Sequence, residues 1–190
     1  VVASAESHVT VDVALRYLGI GTRALVTVES DAQGCMRVDQ LRALLPTLEG
    51  PVIVCAQAGN VNTGAFDPLR EIAEVTRAHG AWLHVDGAFG LFARVSPRTA
   101  ALAAGAELAD SVTVDGHKWL NVPYDCGFAI VRDRTLHQRA MTQWSSYLPT
   151  IGEGDRVPSA FVPELSRRAR GVPVYAMLKT LGRQGVAEMV

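Results

Sequence analysis

Short runs of apolar and β-branched residues alternate along the chain with longer amphipathic runs, and this alternation limits the possible folds more than any other feature. Uninterrupted apolar runs of about four to eight residues are typical of strands buried on both faces. Such runs occur at 23–29, 51–58, 81–86 and 110–115. Helix-length runs lie between them, so the series predicts right-handed crossovers and a mostly parallel sheet flanked by helices. The predicted fold class is therefore α/β.

Two amphipathic runs have the residue spacing of helices. Residues 38–49 and 67–80 place Leu, Ile or Val at every third or fourth position, with charged residues on the opposite side. In the second run, Asp67 predicts the helix start, a proline follows in the first turn, and Gly80 predicts the helix end. We expect both helices to cover the sheet.

The composition excludes several classes of function. The 190 residues suit one domain, and a net charge of -1 gives no electrostatic basis for binding nucleic acid or an anionic membrane. No apolar stretch approaches the roughly 18 to 20 residues that a membrane span needs. The three cysteines are widely separated and have neither metal-site nor redox spacing. They predict reduced thiols in a non-secreted, cytoplasmic protein.

Polar residues of types suited to catalysis or binding follow three of the predicted strands. Asp86 ends the third strand, His117 and Lys118 follow the fourth, and a loop rich in Gly and Asn (58–65) follows the second. In parallel sheets, binding sites gather at the carboxyl ends of the strands. Pyridoxal 5'-phosphate would use both charged residues, because its aldehyde forms a Schiff base with a lysine and its ring nitrogen pairs with an aspartate. From spacing alone, an exposed Lys118 and an Asp86 that merely ends a strand are equally consistent.

Three segments carry a resemblance to a known family. "ESHVTVDVALRYLGIG" (6–21), "HVDGAFG" (84–90) and "DGHKWLNVPYDCG" (115–127) resemble the group II pyridoxal-phosphate-dependent amino-acid decarboxylases, which include the aromatic-amino-acid and glutamate decarboxylases. The resemblance implies the large-domain core of a fold-type I pyridoxal-phosphate-dependent transferase. It also implies a homodimer that converts an L-amino acid to the corresponding amine and carbon dioxide.

The resemblance assigns roles to four residues around the cofactor. Lys118 matches the Schiff-base lysine, and Asp86 matches the carboxylate that keeps the ring nitrogen protonated. Ala88 matches the small residue against one ring face, and His8 matches the imidazole stacked on the other face. For His8, an ordinary exposed histidine at a helix start is the alternative.

Two polar residues next to these motifs match family positions as well. Asn60 matches the position that hydrogen-bonds the ring hydroxyl, although a turn asparagine is equally expected in this loop. His117 matches a residue that helps to position the lysine and the phosphate. The remaining histidines, His79, His84 and His137, have no such match, and we expect no metal site.

The region after residue 133 is predicted to contain a short helix, a loop over 142–163 and a basic helix from about 164. Within the loop, Tyr147 of "SSYLP" matches the family's tyrosine that protonates the substrate carbon; a surface tyrosine is the alternative. Arg167 and Arg168 are predicted either to bind a phosphate or carboxylate or to form an exposed, charged helix face.

The sequence departs from the family pattern in three places. The family's phosphate-binding segment normally lies upstream of the His8 region, and its small carboxy-terminal domain follows the last helix; neither is found within 1–190. Asp115 occupies a position near the phosphate where relatives often carry an uncharged side chain. We therefore expect 1–190 to be a partial cofactor-binding large domain. The alternatives are another pyridoxal-phosphate enzyme on this scaffold, such as an aldehyde-forming deaminase, a lyase or an aminotransferase, and an inactive fragment.

Overall fold

The computed structural model describes residues 1–143, 145–146 and 157–190. Its strands are β1 (Val2–Ser4), β2 (Val26–Val28), β3 (Ile53–Gln57), β4 (Trp82–Asp86), β5 (Ser111–Asp115) and β6 (Gly127–Val131). They form one sheet in the order β2-β1-β3-β4-β5-β6. Neighbouring strands from β2 to β5 pair in parallel, whereas β6 pairs antiparallel with β5. The predicted mostly parallel α/β fold is confirmed.

Helices follow β1, β2, β3 and β6, and those after β2 and β3 pack on the sheet. They are α1 (Thr10–Tyr17), α2 (Val38–Leu44), α3 (Leu69–Ala78), α4 (Arg134–Met141) and α5 (Gly171–Met189). Leu41 of α2 and Ile72 of α3 are fully buried in the same apolar cluster as Val54 of β3 and Val85 of β4. In the part of the chain that the structure describes, no helix is both long enough and apolar enough to cross a membrane.

The two faces of β4 differ in burial. Leu83 and Val85 point into the apolar core and are 2% and 0% exposed. Trp82, His84 and Asp86 alternate with them on the other face and are only partly buried. This period of two places polar side chains of β4 together on one side of the sheet.

Asp67 does not start α3 in the way that the sequence predicts. The helix begins at Leu69, and the Asp67 side chain is buried and accepts the backbone N–H groups of Met36 and Gln57, each at 2.7 Å. Burial raises the pKa of the Asp67 carboxyl, and the two backbone N–H donors oppose that rise. The carboxylate therefore joins the end of β3 to the segment before α2.

Several predicted boundaries are shorter in the structure. The run 23–29 is a strand only over Val26–Val28, and the run 38–49 is helical over Val38–Leu44 and then tightens into a single turn of 3-10 helix over Leu45–Thr47. Pro46 in that turn has no backbone N–H with which to extend the α-helix.

Other elements were missed or displaced by the sequence prediction. The pattern predicts neither β1 nor β6. The basic helix predicted from about 164 begins instead at Gly171, and its backbone departs from helical geometry at Gly182, where φ is 61°. Arg167 and Arg168 therefore precede the helix.

Candidate active site

A cavity of about 240 Å³ lies at the carboxyl ends of β3, β4 and β5. It forms there because Gln57, Asp86 and Thr113 occupy the same register position on three adjacent parallel strands. The lining residues are His8, Thr10, Gln57, Gly59, Val61, Asp86, Ala88, Phe89, Thr113, Asp115 and Lys118. The structure thus brings together four of the predicted cofactor residues, namely Lys118, Asp86, Ala88 and His8.

A larger cavity, of about 590 Å³, lies at the opposite end of the same strands. Its lining includes Val52, Ile53, Trp82 and Leu83, together with Arg77 from the end of α3, and contains none of the predicted site residues. A choice based on cavity volume alone would therefore place the site at the end of the sheet that lacks the predicted site residues. The smaller cavity is the candidate site because an amine, two carboxylates and an imidazole converge on it.

Lys118 lies in the turn that follows β5. Its Nζ is 2.8 Å from Oδ2 of Asp115 and 4.2 Å from the centre of the Phe89 ring. The side chain is 24% exposed, so the amine faces the cavity while remaining accessible. An ammonium group with an adjacent carboxylate and an aromatic face is stabilised at a partly buried position.

Asp86 is the last residue of β4, and its carboxylate is oriented by the backbone that follows. Its Oδ1 accepts the N–H of Ala88 at 3.0 Å. A carboxylate has lone pairs for several hydrogen bonds, so this contact leaves acceptor capacity for a cationic N–H in the cavity. Ala88 therefore both orients Asp86 and contributes a small side chain to the wall.

His8 lies two residues before the first residue of α1, at the cavity wall. Its Nδ1 is 2.9 Å from Oγ1 of Thr10, and the ring is half-buried. The preceding segment is tied to the end of β3, because the Glu6 carbonyl accepts the side-chain amides of Gln57 at 3.1 Å and Asn60 at 2.8 Å. These bonds determine where the imidazole enters the cavity.

Asn60 makes the contacts of the turn asparagine that the sequence left open as an alternative. Its Oδ1 accepts the backbone N–H groups of Asn62 and Thr63, at 2.8 and 3.1 Å, and its side chain is buried. Asn60 lines a neighbouring cavity of about 330 Å³ rather than the one around Lys118. It therefore shapes the loop and, through Glu6, the segment that carries His8.

His117 supports the turn that carries Lys118. Its Nδ1 lies 2.8 Å from the carbonyl oxygen of Cys126 and 3.0 Å from the N–H of the same residue. Its ring packs on Tyr124, with the ring centres 4.1 Å apart. These contacts hold the turn after β5 against Cys126 and Tyr124, and the role of His117 in positioning the lysine and the phosphate stays a prediction. His117 is not among the residues that line the cavity.

The arginines before α5 bind acidic side chains and carbonyl groups of this protein. Arg167 pairs with Glu164 at 2.6 Å, Arg168 donates to the Tyr124 carbonyl at 2.6 Å, and Arg170 pairs with Asp125 at 2.8 Å. The hydrogen bond from Arg170 is the main cause of the lowered pKa of the Asp125 carboxyl. Arg168 and Arg170 thus anchor the loop that packs against His117, which the sequence prediction did not foresee.

Two remaining predictions concern a tyrosine and metal ions. Tyr147 lies outside the described residues. Among the residues that the structure describes, no group of three or more His, Cys, Asp and Glu side chains is arranged to hold a metal ion.

Several cavity residues were not predicted as site residues from the sequence, among them Gln57, Phe89 and Thr113. Gln57 and Thr113 each occupy the strand position opposite Asp86 in the sheet. Knowledge of which residues of β3, β4 and β5 are paired would have identified both, because side chains alternate between the two faces of a strand and paired residues share a face. Phe89 lies within the "HVDGAFG" motif (84–90), directly after Ala88, but was given no role there.

Comparison with known proteins identifies the family. The model of the pyridoxal-dependent decarboxylase conserved domain matches residues 1–190, the whole of this chain. The chain belongs to the pyridoxal-dependent decarboxylase family. The resemblance recognised from the sequence motifs is confirmed.

Individual relatives of this chain agree with the family assignment. The acidic amino acid decarboxylase GADL1 of Mus musculus is 36% identical over 200 residues, which cover 98% of this chain and 36% of that protein. The aromatic-L-amino-acid decarboxylase of Bacillus atrophaeus is 33% identical over 186 residues, which cover 94% of this chain and 39% of that protein.

A solved structure has the same fold. The crystal structure of mouse CSAD in apo form superposes with a TM-score of 0.89 at 30% identity, covering 98% of this chain and 40% of that one. The chain therefore spans well under half the length of the relatives it matches.

Proposed function

We propose that the protein containing this chain decarboxylates an L-amino acid with the help of pyridoxal 5'-phosphate. One observation carries the proposal: the amine of Lys118 and the carboxylate of Asp86 line the same cavity. A lysine and an aspartate on one cavity are the two groups that hold this cofactor by its aldehyde and its ring nitrogen. The family match and the named decarboxylases among the relatives support it.

The residues around the cavity fit the cofactor. Lys118 would hold it covalently, Asp86 would bind its ring nitrogen, and His8 and Ala88 would lie against its two ring faces. The hydrogen bond from the Ala88 N–H already orients the carboxylate of Asp86. When bound, the cofactor supplies an electron sink for the electron pair that is left on the substrate carbon as the carboxylate departs.

The residues assigned to the site would each contribute a defined part of the chemistry. The Asp86 carboxylate would keep a proton on the nitrogen that it binds, because a negative charge nearby favours the protonated form. A site that holds the bond to the substrate carboxylate in one orientation favours cleavage of that bond over cleavage of the carbon–hydrogen bond. Tyr147 would donate a proton to the substrate carbon as a general acid.

The test uses the full-length protein incubated with cofactor and a panel of acidic, aromatic and diamino acids. Release of carbon dioxide together with the matching amine is the expected result. An aldehyde or a keto acid in place of the amine would assign the protein to another class of pyridoxal-phosphate enzymes.

Lys118→Ala should remove the visible absorbance of the covalently bound cofactor. Lys179→Ala, on α5, is the matched control and should retain that absorbance. A Lys118→Ala protein from which borohydride still traps the cofactor covalently would refute the assignment of the lysine.

We also propose that 1–190 is the partial large domain of a homodimeric, cytoplasmic enzyme. The three cysteines are free, as in proteins from a reducing compartment. Trp119, Val61 and Leu102 line the apolar cavity of about 330 Å³ beside the candidate site and are 45%, 44% and 53% exposed. A partner subunit would cover them, and the mass of the full-length protein in light scattering tests this assembly.

A further inference from the structure

A row of hydrogen bonds runs beneath the candidate site, between β4 and β5. The indole Nε1 of Trp82 donates to Oγ of Ser111 at 2.8 Å. The same Ser111 oxygen lies 2.8 Å from Nδ1 of His84, and Nε2 of His84 lies 3.4 Å from Oγ1 of Thr113. All four side chains lie on the sheet face that carries Asp86 and are partly buried. We call these four residues the relay.

The relay has a preferred direction. An indole N–H can only donate, so Ser111 accepts from Trp82 and has its own hydrogen available for Nδ1 of His84. Burial lowers the pKa of His84, which favours the neutral ring. In a neutral imidazole whose Nδ1 accepts, the hydrogen is on Nε2 and points toward Thr113.

Both directions make three hydrogen bonds within the relay and leave one hydroxyl hydrogen unpaired there, so they differ in where that hydrogen lies. With the ring hydrogen on Nδ1, the Ser111 oxygen would accept twice, and the unpaired hydrogen would be on Ser111, which does not line the cavity. With the ring hydrogen on Nε2, the unpaired hydrogen is on Thr113, which lines the cavity and can donate to a group there. Polar groups adopt the arrangement in which most donors can be paired, so the second direction is favoured.

Thr113 connects the relay to the cavity. It pairs in register with Asp86 on the adjacent strand, and both side chains line the cavity that Lys118 faces. Trp82, Ser111 and His84 do not line that cavity. The relay therefore reaches the site through one hydroxyl group.

We propose that His84 is a positioning residue, which directs the Thr113 hydroxyl hydrogen into the cavity beside Asp86 as a donor for the bound cofactor. Thr113 is then a further cofactor-binding residue, and Trp82 and Ser111 set the tautomer of His84. The proposal rests on the proposed function only in the identity of the molecule that is bound.

The experiment measures the affinity of the full-length apoprotein for pyridoxal 5'-phosphate, by titration of the visible absorbance without any amino acid. Thr113→Val, which removes the donor, should weaken binding on the order of tenfold, the effect of losing one hydrogen bond to a charged or polar ligand. Thr113→Ser should restore most of the affinity. Thr27→Val, an exposed strand threonine on β2, is the control and should bind as the wild type does.

Variants of the relay test whether His84 acts through Thr113. His84→Leu removes both ring nitrogens and should weaken binding in the same direction, whereas His84→Gln keeps a donor and an acceptor and should weaken it less. In the double variant His84→Leu/Thr113→Val, the affinity should equal that of Thr113→Val alone, because residues that act through one group are not additive.

Two results would overturn the proposal. One is wild-type affinity in Thr113→Val, and the other is full additivity of the two substitutions, which would mean that His84 has only a structural effect. Because affinity is measured without substrate, the absence of amine from the wild-type enzyme would overturn the proposed function alone.

Discussion

Asp115 holds the amine of Lys118 in an ion pair, with 2.8 Å between Oδ2 and Nζ. The two residues are three positions apart in the turn after β5, and the same carboxylate oxygen is 3.7 Å from Nε2 of His117. From the sequence, Asp115 is expected near the phosphate of the cofactor. In the structure its contact is with the lysine, so it competes with the cofactor aldehyde for the amine.

Asp115→Asn should accelerate covalent capture of the cofactor. The amine must leave the carboxylate before it can react, and a partly exposed ion pair stabilises its resting position by about 0.2–1 kcal/mol, which corresponds to at most about a fivefold change in rate. Stopped-flow absorbance of the full-length apoprotein mixed with pyridoxal 5'-phosphate measures this rate. Asp39→Asn removes an exposed ion pair with Arg37 elsewhere and should leave the rate unchanged. A slower Asp115→Asn protein would show that the carboxylate assists the amine.

Gly59 and Gly90 allow two loops to approach closely at the edge of the site. The N–H of Gly90 donates to the carbonyl of Ala58 at 2.8 Å, and Gly59 has a φ of +87°. A Cβ on Gly90 would collide with that carbonyl oxygen and lie 2.5 Å from the ring of Phe66. The backbone contact between the two loops therefore requires a residue without a side chain at position 90.

Gly90→Ala should lower the free energy of unfolding by about 1–3 kcal/mol, since an added methyl group overpacks the site. Urea denaturation of the full-length protein measures this loss. Gly171→Ala is the matched control, because Gly171 begins α5 and a Cβ there meets nothing within 4 Å. A urea midpoint for Gly90→Ala equal to that of the wild type would mean that the two loops can separate without loss of folding free energy.

The central strands and the location of the site could be predicted from the sequence. The runs 81–86 and 110–115 correspond to Trp82–Asp86 and Ser111–Asp115 within one residue. Their apolar and β-branched residues mark them as strands because each strand has one face covered by the core and a strand on both sides. Asp86 ends β4 and Lys118 follows β5. Because these two strands are parallel neighbours in the sheet, their carboxyl ends lie at the same edge, which brings the two residues close together.

The two strands that were missed differ in their local signal. Val2–Ser4 has only three residues, too few to show a period, although pairing on both sides makes it an interior strand. Gly127–Val131 is an apolar run of strand length, so β6 could have been predicted from the sequence; in the structure it is the edge strand, and its side chains are mostly exposed.

Long-range polar contacts are equally invisible to local patterns. Asp67 reads as a helix start because of the proline and the amphipathic run that follow it, yet its carboxylate binds Met36, 31 residues earlier. The relay depends on the register between β4 and β5, and a single sequence does not reveal which residues of two strands are opposite. Such contacts required the folded structure.

Tyr147→Phe should retain the cofactor but lose amine release. Phenylalanine keeps the ring and removes the proton that a general acid supplies, a contribution typically worth about 10²- to 10⁴-fold in rate. Amine formation by the full-length protein is measured together with cofactor absorbance. Tyr175→Phe, an exposed tyrosine on α5, is the control. Amine production at the wild-type rate by Tyr147→Phe would remove this tyrosine from the mechanism.

His84 should make the stability of the fold depend on pH. Burial lowers its pKa from the ordinary value of 6.5, and Asp86 opposes part of that change. The unfolded chain therefore takes up a proton at a higher pH than the folded chain does, and stability falls as the pH drops below 6.5 toward the lowered pKa of the folded state. Above 6.5 the ring is mostly neutral in both states, so this contribution is fully retained.

His84→Gln should reduce that dependence, because glutamine keeps a donor and an acceptor but does not titrate. Urea denaturation of the full-length protein at pH 7.5 and pH 5.5 gives the loss of free energy for each variant. We expect a smaller loss between these two pH values for His84→Gln than for the wild type. His79→Gln, at the exposed end of α3, should retain the wild-type loss. Equal losses in the wild type and His84→Gln would mean that the His84 ring binds its proton equally well in the folded and unfolded states.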